Sequence, residues 1–262
     1  MRGRLGEARP MHRSVRCLAS RRRPGLAELG IVLVLYAAYE LLRGLGDSSV
    51  HVARDHASDI VALERVFNVF VEQAVQDWAA TIPTLPGLLG AAYVTSHLGA
   101  TAAALVWLYR SHPTRFPLVR NTLVVATAIS LVGYVVYPAA PPRLSGHGFV
   151  DTVSSHTHVN LSSDLLGSLY NPFAAVPSMH FGYSLIVGAA LLAYARRPAV
   201  RVAGALYPPF MLFDIVATGN HFLFDAAAGG VVTVAGWLVA RRLVSTRAKA
   251  RSFGSHGAPV AA

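Results

Sequence analysis

Charged side chains are scarce in this sequence. They make up 14% of its 262 residues, where a soluble domain carries about 25%, so an ordinary water-facing globule is excluded. Cysteine is nearly absent. Cys17 stands alone, which rules out an internal disulfide and leaves the redox compartment open. Lysine is nearly absent too: all but Lys249 of the 23 basic residues are arginine, a bias of composition that carries little mechanism. Internal repeats and low-complexity tracts are lacking, which argues against a repeat array. The net charge of +10 invites a nucleic-acid reading. The basic residues lie in blocks between apolar runs rather than over a surface, so no nucleic-acid partner is expected.

What is abundant is apolar: 53% of the chain. Six segments approach the roughly 20 helical residues needed to cross a hydrocarbon core. They are Leu26–Leu45, Leu85–Tyr109, Leu118–Tyr137, His180–Tyr194, Val202–Thr218 and Phe222–Ala240, the fourth being short. The expected fold is all-α, an integral membrane bundle of six transmembrane helices plus an interfacial amphipathic helix. Residues 1–25 read as a basic cytoplasmic tail, 26–244 as the membrane domain and 245–262 as a disordered cytoplasmic tail.

Orientation follows from the arginines. All basic residues except Arg43, Arg54, Arg65 and Arg143 fall in four regions: the first 25 residues, RSHPTRFPLVR, RRPAVR and the tail after Ala240. With six spans these regions share one side, so both termini are expected in the cytoplasm. The basic start reads as an orientation anchor rather than a cleavable signal, because no small-x-small site follows the first apolar run.

Between the first two spans, DHASDIVALERVFNVFVEQAVQDWAA has helical spacing. Ile60, Leu63, Val66, Phe67, Phe70, Ala74 and Trp78 mark one face, and the segment also carries Asp55, Asp59, Glu64, Glu72 and Asp77. This predicts an amphipathic helix at the external interface or packed over the bundle. A packing helix and a lid over a substrate site are both open readings.

Three motifs fall at the external ends of different spans. In TGNHFLFDAAAGG, His221 and Asp225 are four apart and share a helix face. A carboxylate there can fix the imidazole tautomer and stabilise the imidazolium, equipping the histidine as a nucleophile or base. In NPFAAVPSMH, Pro177 suits a first helical turn. The free N–H groups of such a turn attract anions, Ser178 adds a hydroxyl, and His180 stands beside them. In YPAAPPRL, Arg143 is the external arginine near these motifs, and a guanidinium suits phosphate through two parallel hydrogen bonds. Each motif alone also fits an ordinary helix end or interfacial anchor.

Taken together, YPAAPPRL with GFVDT, NPFAAVPSMH and GNHFLFDAAAGG resemble the type-2 phosphatidic acid phosphatase superfamily, over roughly Ile60 to Trp237. The likeness is greatest to its inositol phosphorylceramide synthase-like, inositolphosphotransferase branch. The resemblance implies a six-helix membrane enzyme at one interface of the bilayer, probing a lipid phosphate or phospholipid. It implies His221 as the histidine attacking phosphorus, Asp225 as its orienting carboxylate and His180 as the acid that protonates the leaving oxygen. Ser178 and Arg143 would then contact phosphate, with no metal or other cofactor. The chain departs from the wider superfamily pattern at Met179, where glycine is usual, and at Ile215, where arginine is usual. It also offers no external lysine. Whether water or an alcohol accepts the phosphoryl group is open, and Glu64, Glu72 and His97 are weak candidates for the acceptor pocket. Glu64 reads by default as part of a solvated face, and His97 as a core histidine bonded to a neighbouring helix.

The expected location is the plasma membrane, with an extracytoplasmic site. The alternative is a histidine-rich metal-binding or transport protein, in which His147, His156 and His158 join His180 and His221 around zinc.

Overall fold

Apolar runs form helices because hydrocarbon offers no partner for backbone N–H and C=O groups, and a helix satisfies them within one segment. The computed structural model describes residues 50–157 and 172–255, with side chains through 246, together with Gly30 and Val34. Residues 1–44 and 45–262 are separate units. The basic tail, His158 and, apart from Gly30 and Val34, the expected span Leu26–Leu45 lie outside the described residues.

In chain order the second unit contains α1 (Val50–Val66), α2 (Glu72–Ala80), α3 (Leu85–Ser111), α4 (Phe116–Val136), α5 (Thr152–His156), α6 (Met179–Tyr194), α7 (Pro198–Ala217) and α8 (Leu223–Ser255). A 3₁₀ turn, Pro142–Leu144, lies between α4 and α5. Among the described residues the fold is all-helical, save for one isolated parallel bridge between Ala139 and Ala174. Pro86, Pro117 and Pro198 occupy first turns of α3, α4 and α7, where the missing N–H costs nothing.

Four helices are long and apolar enough to cross a membrane: α3, α4, α7 and the Leu223–Thr246 part of α8. Helix α6 is apolar but shorter. These features indicate an integral membrane protein. The side-chain distribution agrees. Leu88, Leu98, Val132, Val136, Leu206 and Val231 point outward, whereas Thr101, Ser130, Ser184, Asp214 and Thr233 are buried. Small residues let the helices close up. Gly236 of α8 lies against Thr122 and Ala126 of α4, and Gly188 of α6 against Gly204 and Pro208 of α7.

The segment expected as one amphipathic helix is two. It breaks at Phe67–Val71, where Asn68 takes a positive φ of 55°. Its inward face also differs from the expected one. Ile60 is buried as expected, but Leu63, Val66, Phe67 and Trp78 are exposed. Ala53, Ala57, Val61, Glu64, Glu72 and Gln76 turn inward instead. The reason is polar satisfaction: Glu64 and Glu72 accept amides at the start of α8, and Gln76 bonds Val150 and Thr152.

Main-chain hydrogen bonds tie the loops at this end together. Ala139 N–H donates to Phe173 O (2.9 Å), Ala140 N–H to Ala53 O (2.8 Å) and Arg143 N–H to Gly219 O (2.9 Å). Ser178 N–H donates to Asp225 O at 2.9 Å, joining the start of α6 to the first turn of α8.

Candidate active site

The turn from α7 to α8 sets the first half of the site. Thr218 and Asn220 N–H groups close back on Asp214 O and Ile215 O, both at 3.0 Å, and His221 N–H donates to Ile215 O at 3.1 Å. Gly219 has φ +68°, a conformation that suits glycine. His221 is therefore fixed just before α8 begins, and Asp225 in its first turn. Both are buried, and His221 Nδ1 lies 3.2 Å from Asp225 Oδ2. The same carboxylate oxygen accepts Phe222 N–H at 3.0 Å. If Nδ1 carries the proton, it donates to Asp225 and leaves Nε2 with a free lone pair.

The second half comes from α6. Ser178 is the N-cap, its side chain accepting from Phe181 N–H at 3.5 Å. Pro177 therefore precedes the cap instead of occupying the first turn, because the capping hydroxyl starts the helix at Met179, two residues later than expected. His180, in the first turn, packs face to face on Tyr93 of α3 (centroids 4.2 Å, planes 14° apart). Its ring centroid is 5.7 Å from that of His221. The Nε2 atom of His180 is buried without a hydrogen-bond partner among the described residues. Two imidazoles from segments about forty residues apart thus stand within reach of one small bound group.

Arg143 enters from the 3₁₀ turn. It is buried, donates through Nη1 to Asn220 Oδ1 at 2.7 Å, and places Nε 3.6 Å from Asp151 Oδ2. Asn220 is itself held by Thr218 Oγ1 at 2.8 Å. The guanidinium thus reaches the site already oriented, beside the residue that precedes His221. The structure brings His221, Asp225, His180, Ser178 and Arg143 to one end of the bundle.

Sequence reasoning undervalued four further groups. Glu64 is 3% exposed and does not lie on a solvated face. Its Oε1 accepts Phe224 N–H at 2.7 Å, while Glu72 Oε1 accepts Leu223 N–H at 2.8 Å. The first N–H groups of a helix have no intrahelical partner, and these carboxylates supply one across about 150 residues of sequence. The available signal was acidic side chains close to spans, which are costly there and suspect by default. Burial pushes the Glu64 carboxyl up to about 8, reinforced by the neighbouring Glu72 carboxyl and opposed by Phe224 N–H. His97 also departs from expectation. Among the described residues it meets no neighbouring helix through a hydrogen bond; Nδ1 lies 3.4 Å from Tyr93 O of its own helix, and its ring centroid rests 3.9 Å from that of His180. Asn220 had no sequence signal beyond adjacency to His221.

His147 and His156 are placed for ordinary contacts. His147 Nε2 is 3.2 Å from Ser58 Oγ, and His156 Nδ1 is 3.2 Å from Thr152 O. Among the described residues no group of three or more His, Cys, Asp or Glu is arranged to hold a metal ion.

Membrane-length helices closing over a buried pair of histidines, one backed by a carboxylate, define a helical membrane protein with a polar centre at one end. A family model described as the PAP2 superfamily matches residues 58–239, and the chain belongs to that superfamily. Its members are generally phosphatases and phosphotransferases, which indicates an enzyme of membrane phosphatase type. Comparisons with curated proteins and with solved structures gave no significant match.

Proposed function

We propose that this protein cleaves a phosphoester bond of a membrane lipid through a phosphohistidine on His221. The observation that carries the reading is the His221–Asp225 contact of 3.2 Å with the His180 ring centroid 5.7 Å from that of His221, in a chain of this superfamily. His221 Nε2 attacks phosphorus. The bond to the lipid oxygen breaks, and His180 protonates that oxygen as it leaves. In the second step His180 takes a proton from the incoming water or alcohol, whose oxygen displaces His221. The nucleophile divides one difficult displacement into two easier ones. Asp225 stabilises the imidazolium, and Arg143 with the first-turn amides of α6 offsets charge on the phosphoryl oxygens.

The arginine distribution supports an extracytoplasmic site. The three motifs support the inositolphosphotransferase-like branch, in which an alcohol replaces water as acceptor. The test uses purified protein in mixed micelles with phosphatidic acid or phosphatidylinositol. Wild type is expected to release phosphate or inositol phosphate, and an added lipid alcohol to divert the product if the acceptor site takes alcohols. His221→Ala is expected to abolish both outcomes. Undiminished turnover in that variant would refute the mechanism.

A further inference from the structure

Three consecutive amides open the catalytic segment, and each meets a different carboxylate: Phe222 N–H meets Asp225, Leu223 N–H meets Glu72, and Phe224 N–H meets Glu64. All three acids are buried. Glu64 and Glu72 each use one oxygen in this way, and among the described residues each keeps its Oε2 buried without another partner. Bound to adjacent amides, the two carboxylates lie side by side, and such a buried pair cannot both ionise cheaply. A single proton between them satisfies both orphaned oxygens and removes one negative charge from the cluster.

We propose that Glu64 and Glu72 are positioning residues that share one proton and, as a pair, clamp the first turn of α8 so that His221 and Asp225 stay aligned. This deepens the phosphohistidine reading and rests on it for its catalytic consequence. The groups facing the pair are Asp225 and, through it, His221. Nearby arginines are engaged elsewhere: Arg65 lies over the Phe70 ring, Arg54 bonds Leu144 O, and Arg143 bonds Asn220. Among the described residues neither glutamate has an ion-pair partner. Loss of the shared proton therefore sets two bare carboxylates beside Asp225, and their repulsion loosens the turn that carries the nucleophile. The Glu64 carboxyl, raised to about 8 by burial and by Glu72, places that loss at mildly alkaline pH.

The experiment compares wild type, Glu64→Gln and Glu64→Ala over a range of pH. Two readouts are used: turnover of phosphatidic acid in micelles, and the infrared band of protonated carboxyl groups. Glu64→Ala is expected to lower kcat about tenfold with KM little changed, the size of one lost charge-assisted hydrogen bond. Glu64→Gln keeps an acceptor for Phe224 N–H and a permanent donor to Glu72. It is expected to restore most of that kcat and to move the alkaline limb to higher pH. The Glu64 component of that band, read as the difference between wild type and Glu64→Gln, should vanish as pH passes about 8. Superimposable pH profiles for wild type and Glu64→Gln, or no titrating band in wild type, would overturn the proposal. A titrating band in a protein that turns over no lipid phosphoester would instead sink the enzymatic reading and leave the proton-sharing pair standing.

Discussion

Gly229 tests how tightly the two halves of the site are coupled. It lies in α8, where that helix crosses the start of α6. A Cβ built on it would overlap the carbonyl oxygen of Ser178 and come within 3.1 Å of the carbonyl carbon and 3.4 Å of the amide nitrogen. These are backbone atoms and cannot rotate aside. Restoring an ordinary contact near 3.5 Å requires the helices to part by roughly 1 Å. That movement stretches the Ser178 N–H to Asp225 O hydrogen bond, now 2.9 Å, beyond useful range. It also separates His180 from His221. Gly229→Ala should therefore cost about 1–3 kcal/mol of stability through overpacking. A displacement near 1 Å at reacting groups costs on the order of 10²-fold in rate, so kcat should fall about that far. Gly230→Ala is the matched control. Its Cβ would meet only Leu185 Cδ1 at 3.8 Å and Phe181 Cε1 at 3.9 Å within the 4 Å shell. It should keep full activity and gain up to about 1 kcal/mol from helix propensity. Phosphate release from phosphatidic acid and tryptophan-monitored thermal unfolding read the two effects. A Gly229→Ala protein with kcat within about twofold of wild type, a difference under 0.5 kcal/mol, would refute the coupling.

Asp225→Asn keeps an oxygen for Phe222 N–H but cannot charge-stabilise His221, so kcat should drop roughly 10³- to 10⁴-fold, measured as phosphate release. Asn220→Ala removes the acceptor at 2.7 Å that orients Arg143; KM for a lipid phosphate should rise about tenfold, with a smaller change in kcat. Glu64 also predicts a pH dependence of stability. Its folded carboxyl is raised from 4.5 to about 8, so its contribution is whole below about 4.5 and is lost as pH rises through about 8. The wild-type melting temperature should decline across that window, and Glu64→Gln should flatten the decline.

Much of the membrane architecture was legible because long apolar runs have few alternatives. The expected Leu85–Tyr109 and Val202–Thr218 lie close to the observed Leu85–Ser111 and Pro198–Ala217. The expected final span, Phe222–Ala240, continues as helix to Ser255. His221 and Asp225 were legible as a pair because four residues on a helix make neighbours. The inward face of α1 and α2 was not. Apolar periodicity assumes water outside, yet Phe67 and Trp78 face outward here while Glu64 and Glu72 are buried. What draws those acids inward is the unpaired start of α8, some 150 residues away, and no local pattern reports it. The His97–His180 contact likewise depends on which helices become neighbours, which their separate sequences do not specify.

The joins among Ala53, Ala139, Ala140, Phe173, Gly219 and the Arg143 amide are made by peptide groups. Peptide groups are common to every residue type except proline at the donor position. The rim of the site is thus a chassis indifferent to side-chain identity. Residues mounted on it can be exchanged to suit a bulkier or differently charged headgroup while the two imidazoles keep their spacing, so new substrate preferences can arise here without rebuilding the centre.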